Sequence, residues 1–518
     1  MTFRTNKLIT SALLVIFYLV YFPGSGVAQD SLSEHYASLI TGKAIGSHLE
    51  VLTADSLEGR ETASPGMEKA TRYVAGVFQQ LGMPPLANGT YYQRVPLINI
   101  IAGWMTIDGR RKHYNEGQDF YSTSGCGSVS FKVSEIVFAG YGIVDSASGW
   151  NDYKNVNVDG KIVMLLDGVP KNKNGQELAA PQSKEERIKN CTSYNPRAVL
   201  WIKSDFVEKS DRVNRWLASG HIALEDSEGK SEIPLINISP EMANDFLRLN
   251  KLDINSYEKK VASKKKPVSV EISDSLYVEG AQPKVSCNNV LGYIEGSDLK
   301  NEIVIITAHL DHLGMKNGNI YRGADDDGSG SSSLLAMAAA MTAAKKEGHG
   351  PRRSVLFMTF TGEEKGLLGS EYYTNHPVFP LENTVADLNI DMIGRVDTIN
   401  GPATDYVYII GSDRTSKDLH NINEQANQYY SQLRLDYRYN DPTERLHLYS
   451  RSDHYNFIKK GVPVIFYFTG LHADYHKPTD TMDKIDLDKT ARIARLVFHT
   501  AWEVANRDKR IDATFTGD

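Results

Sequence analysis

The stretch from Ile303 to Gly330 puts the tightest limit on how this chain can fold. It opens with Ile303-Val304-Ile305-Ile306-Thr307, an apolar, β-branched run of the kind buried on both faces of a parallel sheet. The run ends on His309-Leu310-Asp311-His312. A short Gly/Asn loop leads to Asp325-Asp326-Asp327, and after Gly328-Ser329-Gly330 an Ala/Leu/Met-rich run to Lys346 reads as a helix. Imidazoles and carboxylates at the carboxyl end of a strand, facing a helix start, lie where open α/β sheets bind ligands. A polar surface loop would account for the stretch taken alone, so the rest of the chain decides.

From Asn288 to about Asn506 strands and helices alternate. Strands read at 289–294, 302–307, 354–361, 385–390, 406–410 and 462–468. Repetition of strand, helix, strand predicts an α/β fold, a mostly parallel mixed central sheet covered by helices. Residues 29–133 are also mixed, with a helix expected after Ser64-Pro65-Gly66 and a strand over 91–101. Between 134 and 262 short apolar runs at 136–139, 161–166, 198–202 and 233–238 alternate with polar turns, which predicts a β-rich insertion. No cluster of His with acids falls inside it, and the lysine-rich stretch 258–267 reads as a solvated linker. The catalytic part is expected over 268–506. At 518 residues the chain is long enough for two folded units.

Arg4 and Lys7, the apolar run Leu8–Phe22 and the small-residue end at Ala28 read as a Sec signal peptide over residues 1–28. The alternative, an uncleaved anchor, is disfavoured because the apolar run is short for a bilayer span. The expectation is an exported protein, periplasmic or extracellular, with no stable membrane span after cleavage. A formal net charge of -7 without a long basic stripe argues against nucleic acid as a partner. Cys126, Cys191 and Cys287 form no CxxC pair, so no metal is assigned to sulfur.

Four strands end in metal-ligand residue types. The first ends at His309 and Asp311, the second leads into Gly362-Glu363-Glu364, the third ends at Asp391, and the fourth leads into Asp474-Tyr475-His476. With Asp326 they set two histidines and three carboxylates on one rim. Zinc takes His nitrogen and carboxylate oxygen. Such a set with one shared carboxylate suits two metals about 3.5–4 Å apart.

The motifs HLDHLG, GADDDGSG, TGEEKGLLGS, NIDMIG, Ser452-Asp453-His454 and DYHKPTDT resemble, in order and spacing, those of the di-zinc aminopeptidases and glutamate carboxypeptidase II-like peptidases. Leu57-Glu58-Gly59-Arg60 resembles that family's N-terminal segment, and the insertion resembles its protease-associated domain. The resemblance implies two zinc ions per chain, one held by His309 and Asp391 and the other by Glu364 and His476, with Asp326 bridging and a cis bond after it. It implies Glu363 as general base, Asp311 as the acceptor that fixes the His309 ring, and Tyr475 as a donor to the developing oxyanion. Peptides would be the substrates, and the resemblance implies an exopeptidase, foremost an aminopeptidase. A carboxypeptidase or dipeptidase stays open on the same scaffold, as do, less favoured, a one-zinc glutaminyl cyclase and a non-catalytic receptor-like protein. Arg395, Arg414, Arg438, Arg445 and Arg451 are candidates for a substrate carboxylate that the sequence leaves unassigned. It also leaves the oligomeric state open.

Overall fold

The computed structural model describes residues 30–515 except 87, 100–103, 111, 123–128, 207–221, 226–232 and 282–283. The expected signal peptide and Cys126 lie outside the described residues. Among those described, no helix is long and apolar enough to cross a membrane.

A nine-stranded mixed sheet organises the fold. At its centre Arg353–Phe360, Leu299–His309, Thr384–Ile390 and Val464–Phe468 run parallel in that spatial order. Every residue of Arg353–Phe360, Thr384–Ile390 and Val464–Phe468 is buried, which is why they read as unbroken apolar runs rather than alternating ones. Flanking strands are antiparallel: Lys284–Ile294 beside Arg353–Phe360, then Tyr92–Asn99, and Tyr406–Ile410 beside Val464–Phe468. Register aligns the parallel ends. His309 lies opposite Phe360, Thr307 opposite Asn389, and Ile390 opposite Tyr467. The residues that follow each strand therefore emerge on one rim.

The helix Gly330–Lys346 is buried on nearly every face because it lies between the sheet and the helices Gly42–Leu52 and Leu487–Asn506. Gly330 is required at its start. A Cβ there would sit 2.4 Å from Asp327 Oδ1 and 2.7 Å from the carbonyl oxygen of Ile390. The helix Pro65–Leu81 forms as its sequence predicts, capped by the Ser64 side chain and ended by Gly82 in the left-handed region.

A second hydrophobic core runs from Met105 to Val278, wider at both ends than the 134–262 span expected of the insertion. Its six-stranded sheet takes Phe120–Ser122 and Val270–Ile272 as edges around Ile136–Phe138, Ile162–Leu166, Ala198–Ile202 and Leu235–Ile238. Val270–Ile272 and Leu276–Ala281, inside the stretch expected for the catalytic part, thus belong to strands of this second region. The short-strand reading also missed helices at Lys184–Thr192, Pro240–Leu247 and Ile254–Lys264. The presumed lysine-rich linker is largely the last of these, which buries Tyr257 and Val261. One strand of the insertion, Ile222–Leu224, pairs instead with Tyr92–Asn99 at the edge of the large sheet.

Candidate metal centre

The three aspartates of the turn Ala324–Ser329 divide their work by direction. Asp325 Oδ1 accepts from the backbone N–H of Gly394 at 2.7 Å. Asp327 accepts from the backbone N–H groups of Gly330, Met392 and His309 at 2.9, 3.2 and 3.2 Å. Both side chains thereby pin the turn to strand ends and to the helix start. Asp326 alone turns into the rim, and the Asp326–Asp327 peptide bond is cis. Asp480 holds the turn from the other side, accepting from the backbone N–H groups of Asp325 and Asp326.

The two carboxylate oxygens of Asp326 face two different sets of groups. Oδ1 lies 3.1 Å from His309 Nε2, which is 3.5 Å from Asp391 Oδ1. Oδ2 lies 3.1 Å from His476 Nε2, which is 3.2 Å from Glu364 Oε2. Ligand atoms 2.0–2.1 Å from a tetrahedral zinc are separated by about 3.3 Å, so both sets have the spacing of a zinc cage. His309 Nε2, Asp326 Oδ2 and Asp391 Oδ1 are buried and make no hydrogen bond among the described residues. Buried polar atoms left without partners are costly, and their convergence is the signature expected of metal ligands. The residues therefore fit two metal ions. Asp327 also comes close to His309 and Asp391, but its oxygens are taken up by three backbone N–H groups, so Asp326 is the better ligand.

Ser452 donates to Asp391 Oδ2 at 2.8 Å and leaves Oδ1 directed at His309. Ser452 is in turn held by Asn389, and Asn389 by Thr307, at 2.9 Å each. His309 Nδ1 lies 3.0 Å from the carbonyl oxygen of Asp311 and 4.0 Å from its carboxylate. The expected carboxylate acceptor is thus replaced by the same residue's backbone. The Asp311 carboxylate accepts instead from the backbone N–H of Glu363 at 3.1 Å and from Thr62 Oγ1 at 2.7 Å.

Glu363 and Glu364 stand in opposite electrostatic settings. Burial pushes Glu363 well above the usual carboxylate range, and Asp391 and Glu364 add to the rise. Burial acts the same way on Glu364, but His312 and His476 outweigh it and hold Glu364 down at about 2. Burial is likewise outweighed at Asp326, which His309 and His476 hold well below the usual range. The Glu363 side chain lines a cleft with Asp326, Asp391, Tyr475 and His476. Met392, Leu448, Phe466, Phe468 and Leu471 form its apolar wall. Arg451 enters the cleft and donates to Tyr475 Oη at 3.1 Å, while the Tyr475 ring stacks on His476. Of the other arginines, Arg395 pairs with Asp474 and Arg438 with Asp436, and the Arg414 guanidinium lies over Tyr449.

Residues 289–501, the part that carries every one of these ligand groups, match the sequence profile described as Peptidase family M28. Over this segment the chain is similar to that family. A protein named "Probable leucine aminopeptidase" from Trichophyton verrucosum (strain HKI 0517) is 30% identical over 210 residues, 39% of this chain and 54% of that protein. "Aminopeptidase YwaD" of Bacillus subtilis (strain 168) is 24% identical over 239 residues, 43% of this chain and 46% of that protein. The chain spans about half the length of these curated relatives. The solved aminopeptidase from Aneurinibacillus sp. strain AM-1 aligns over 92% of this chain and 97% of its own, at 17% identity and a TM-score of 0.49.

The structure brings together all eight residues singled out from the sequence motifs. Sequence reasoning missed His312, buried beside Glu364, and Ser452, whose motif was noted without a role. It also missed Arg60 and Thr62. Arg60 is buried and donates to the carbonyls of Leu52, Leu310, Arg322 and Gly323 at 2.5–3.0 Å. The LEGR segment was the available signal for it.

Proposed function

We propose that the protein is an exported di-zinc metallo-exopeptidase, an aminopeptidase that hydrolyses peptide bonds with water. The observation that carries this reading is the placement of Asp326, with one oxygen toward His309 and Asp391 and the other toward Glu364 and His476. Zinc bound there supplies Lewis-acid polarisation of the scissile carbonyl and a source of hydroxide near neutral pH.

The chain's own groups do the rest. Glu363, which lines the cleft and has a raised proton affinity, takes the proton of the attacking water and returns it to the leaving amine. Asp311 holds the backbone of Glu363 and so acts by positioning. The Tyr475 hydroxyl, oriented by Arg451, is the donor for the carbonyl oxygen as charge develops on it. The apolar wall receives the side chain beside the scissile bond, so apolar residues are preferred there. The carboxylates of Asp391 and Glu363 suit a substrate ammonium group.

Arg451 favours a second reading, a carboxypeptidase or dipeptidase, because a guanidinium in the cleft can hold a substrate carboxylate. Cleavage of a matched panel of free, N-blocked and C-blocked peptides separates the two. An aminopeptidase spares the N-blocked peptides, and a carboxypeptidase spares the C-blocked ones. Hydrolysis of none of them removes the peptidase reading.

Residues 1–28 act in this proposal as a Sec signal peptide that exports the protein. The 134–262 insertion with its flanking strands acts as a protease-associated module that shapes access and carries no catalytic group. Both metal-ligand clusters found among the described residues lie outside it, which supports that division.

A further inference from the structure

We infer that Asp387 is a positioning residue for the metal position of His309 and Asp391: its side chain is a neutral acid whose O–H sets the direction of a hydrogen-bond chain through Thr307, Asn389 and Ser452 to Asp391. The inference rests on the two-metal reading above and adds a buried carboxyl that reading leaves without a role.

The strands place the chain of groups. Asp387 and Asn389 stand two apart on the strand Thr384–Ile390, so their side chains share one face of the sheet. Thr307 lies opposite Asn389 on the neighbouring strand Leu299–His309. The Thr307 hydroxyl is 2.8 Å from Asp387 Oδ1 and 2.9 Å from Asn389 Oδ1. Asn389 Nδ2 is 2.9 Å from Ser452 Oγ, which is 2.8 Å from Asp391 Oδ2. Asp387, Thr307, Asn389 and Ser452 are all buried.

Counting protons fixes the directions. A carboxylate that binds zinc is ionised and can only accept. Ser452 therefore spends its one proton on Asp391 and must accept from Asn389. This turns the Asn389 amide nitrogen toward Ser452 and its carbonyl oxygen toward Thr307. Thr307 then spends its one proton on Asn389. The remaining contact, 2.8 Å between Thr307 Oγ1 and Asp387 Oδ1, is a hydrogen bond only if Asp387 supplies the proton. Reversing every bond would put that proton on Asp391 and remove it as a ligand.

The surroundings of Asp387 agree. Its Oδ2 is buried and makes no hydrogen bond among the described residues, a costly place for an ionised carboxylate. Burial pushes the Asp387 carboxyl well above the usual range; the Thr307 contact opposes the rise and the Asp453 carboxyl adds to it. The Tyr373 hydroxyl is the other titratable group that interacts with it. A carboxyl kept neutral by burial can donate a hydrogen bond. Anchored at that end, the chain keeps the Ser452 proton on Asp391 Oδ2 and leaves Oδ1 directed at His309.

The test compares the zinc-loaded full chain of wild type with Asp387→Asn and Asp387→Leu. Infrared difference spectra of wild type minus Asp387→Asn, at about pH 8 and so roughly four units above the usual Asp value, should show the C=O stretch of a protonated carboxyl. Zinc affinity follows from chelator competition. The Asn variant, whose amide N–H replaces the acid O–H, should stay within a few-fold of wild type. The Leu variant has no donor. It should bind one of the two zinc ions about tenfold more weakly, the low end for a lost outer hydrogen bond, and the other as before. An ionised-carboxylate signal in place of the acid band overturns the proposal. So does an Asn variant that unfolds or loses zinc, or a Leu variant of unchanged affinity. If the Leu variant does not fold, the spectrum and the Asn variant decide. Wild type that binds no zinc removes the two-metal reading itself, and this inference with it.

Discussion

Glu363 and Glu364 are neighbours in sequence and opposites in chemistry. Burial raises the proton affinity of one, while two imidazoles hold the other ionised. Carboxylates whose surroundings push them apart in this way separate into acid–base and ligand roles. Glu363→Gln keeps the shape and removes the proton acceptor, so kcat should fall by about 10²–10⁴ with zinc content intact. Glu364→Gln should lose zinc, because a neutral amide is a poor ligand. Paired zinc analysis and turnover assays check both, and an exchange of the two outcomes reverses the roles. The proposed metal ligands were legible in the sequence as a set because zinc accepts few residue types and four strand ends offered them. The groups that orient those ligands were not. Thr62 meets Asp311 across 249 residues, and Ser452 meets Asp391 across 61. Nothing local in the chain marks such contacts, and Asp311 itself acts on Glu363 rather than through its carboxylate on His309.

Elements were legible where burial wrote itself into composition. The runs of the large sheet are apolar throughout because both faces are covered. The helix Lys184–Thr192 was hidden because it buries only Arg187 and Cys191 and otherwise reads as a polar turn. Its one local signal is the capping box of Ser183 with Glu186. At the start of Gly330–Lys346 two effects compete. Gly330→Ala gains about 1 kcal/mol of helix propensity. The new methyl would press on Asp327 and on the Ile390 carbonyl, and overpacking of that kind costs about 1–3 kcal/mol. The clash should win, lowering the urea midpoint of unfolding. On the helix Leu487–Asn506, burial lowers His499 to about 4, with Arg495 adding to it. The unfolded chain has His near 6.5, so it takes up a proton that the folded state refuses. This contribution to stability is present above pH 6.5 and is lost as pH falls toward 4. Thermal melts of wild type should therefore drop more steeply over that window than those of His499→Phe. Parallel pH profiles for the two would contradict this.

At the scale of the molecule, the core from Met105 to Val278 is separate from the one beneath the candidate metal centre. Its extent was only partly legible, because its edge strands at 120–122 and 270–272 are short and lie beyond the run of alternating elements. An ion that binds only the folded catalytic part stabilises that part by mass action. Calorimetry with and without a chelator should then show one transition moving down and another staying in place. A single transition that shifts as a whole would mean that the two cores unfold together. The central claim is that Asp326 joins two metal positions, and zinc per chain tests it most directly. Elemental analysis of purified protein, saturated with zinc and then dialysed, should give close to two ions per chain. One ion or none would contradict the account.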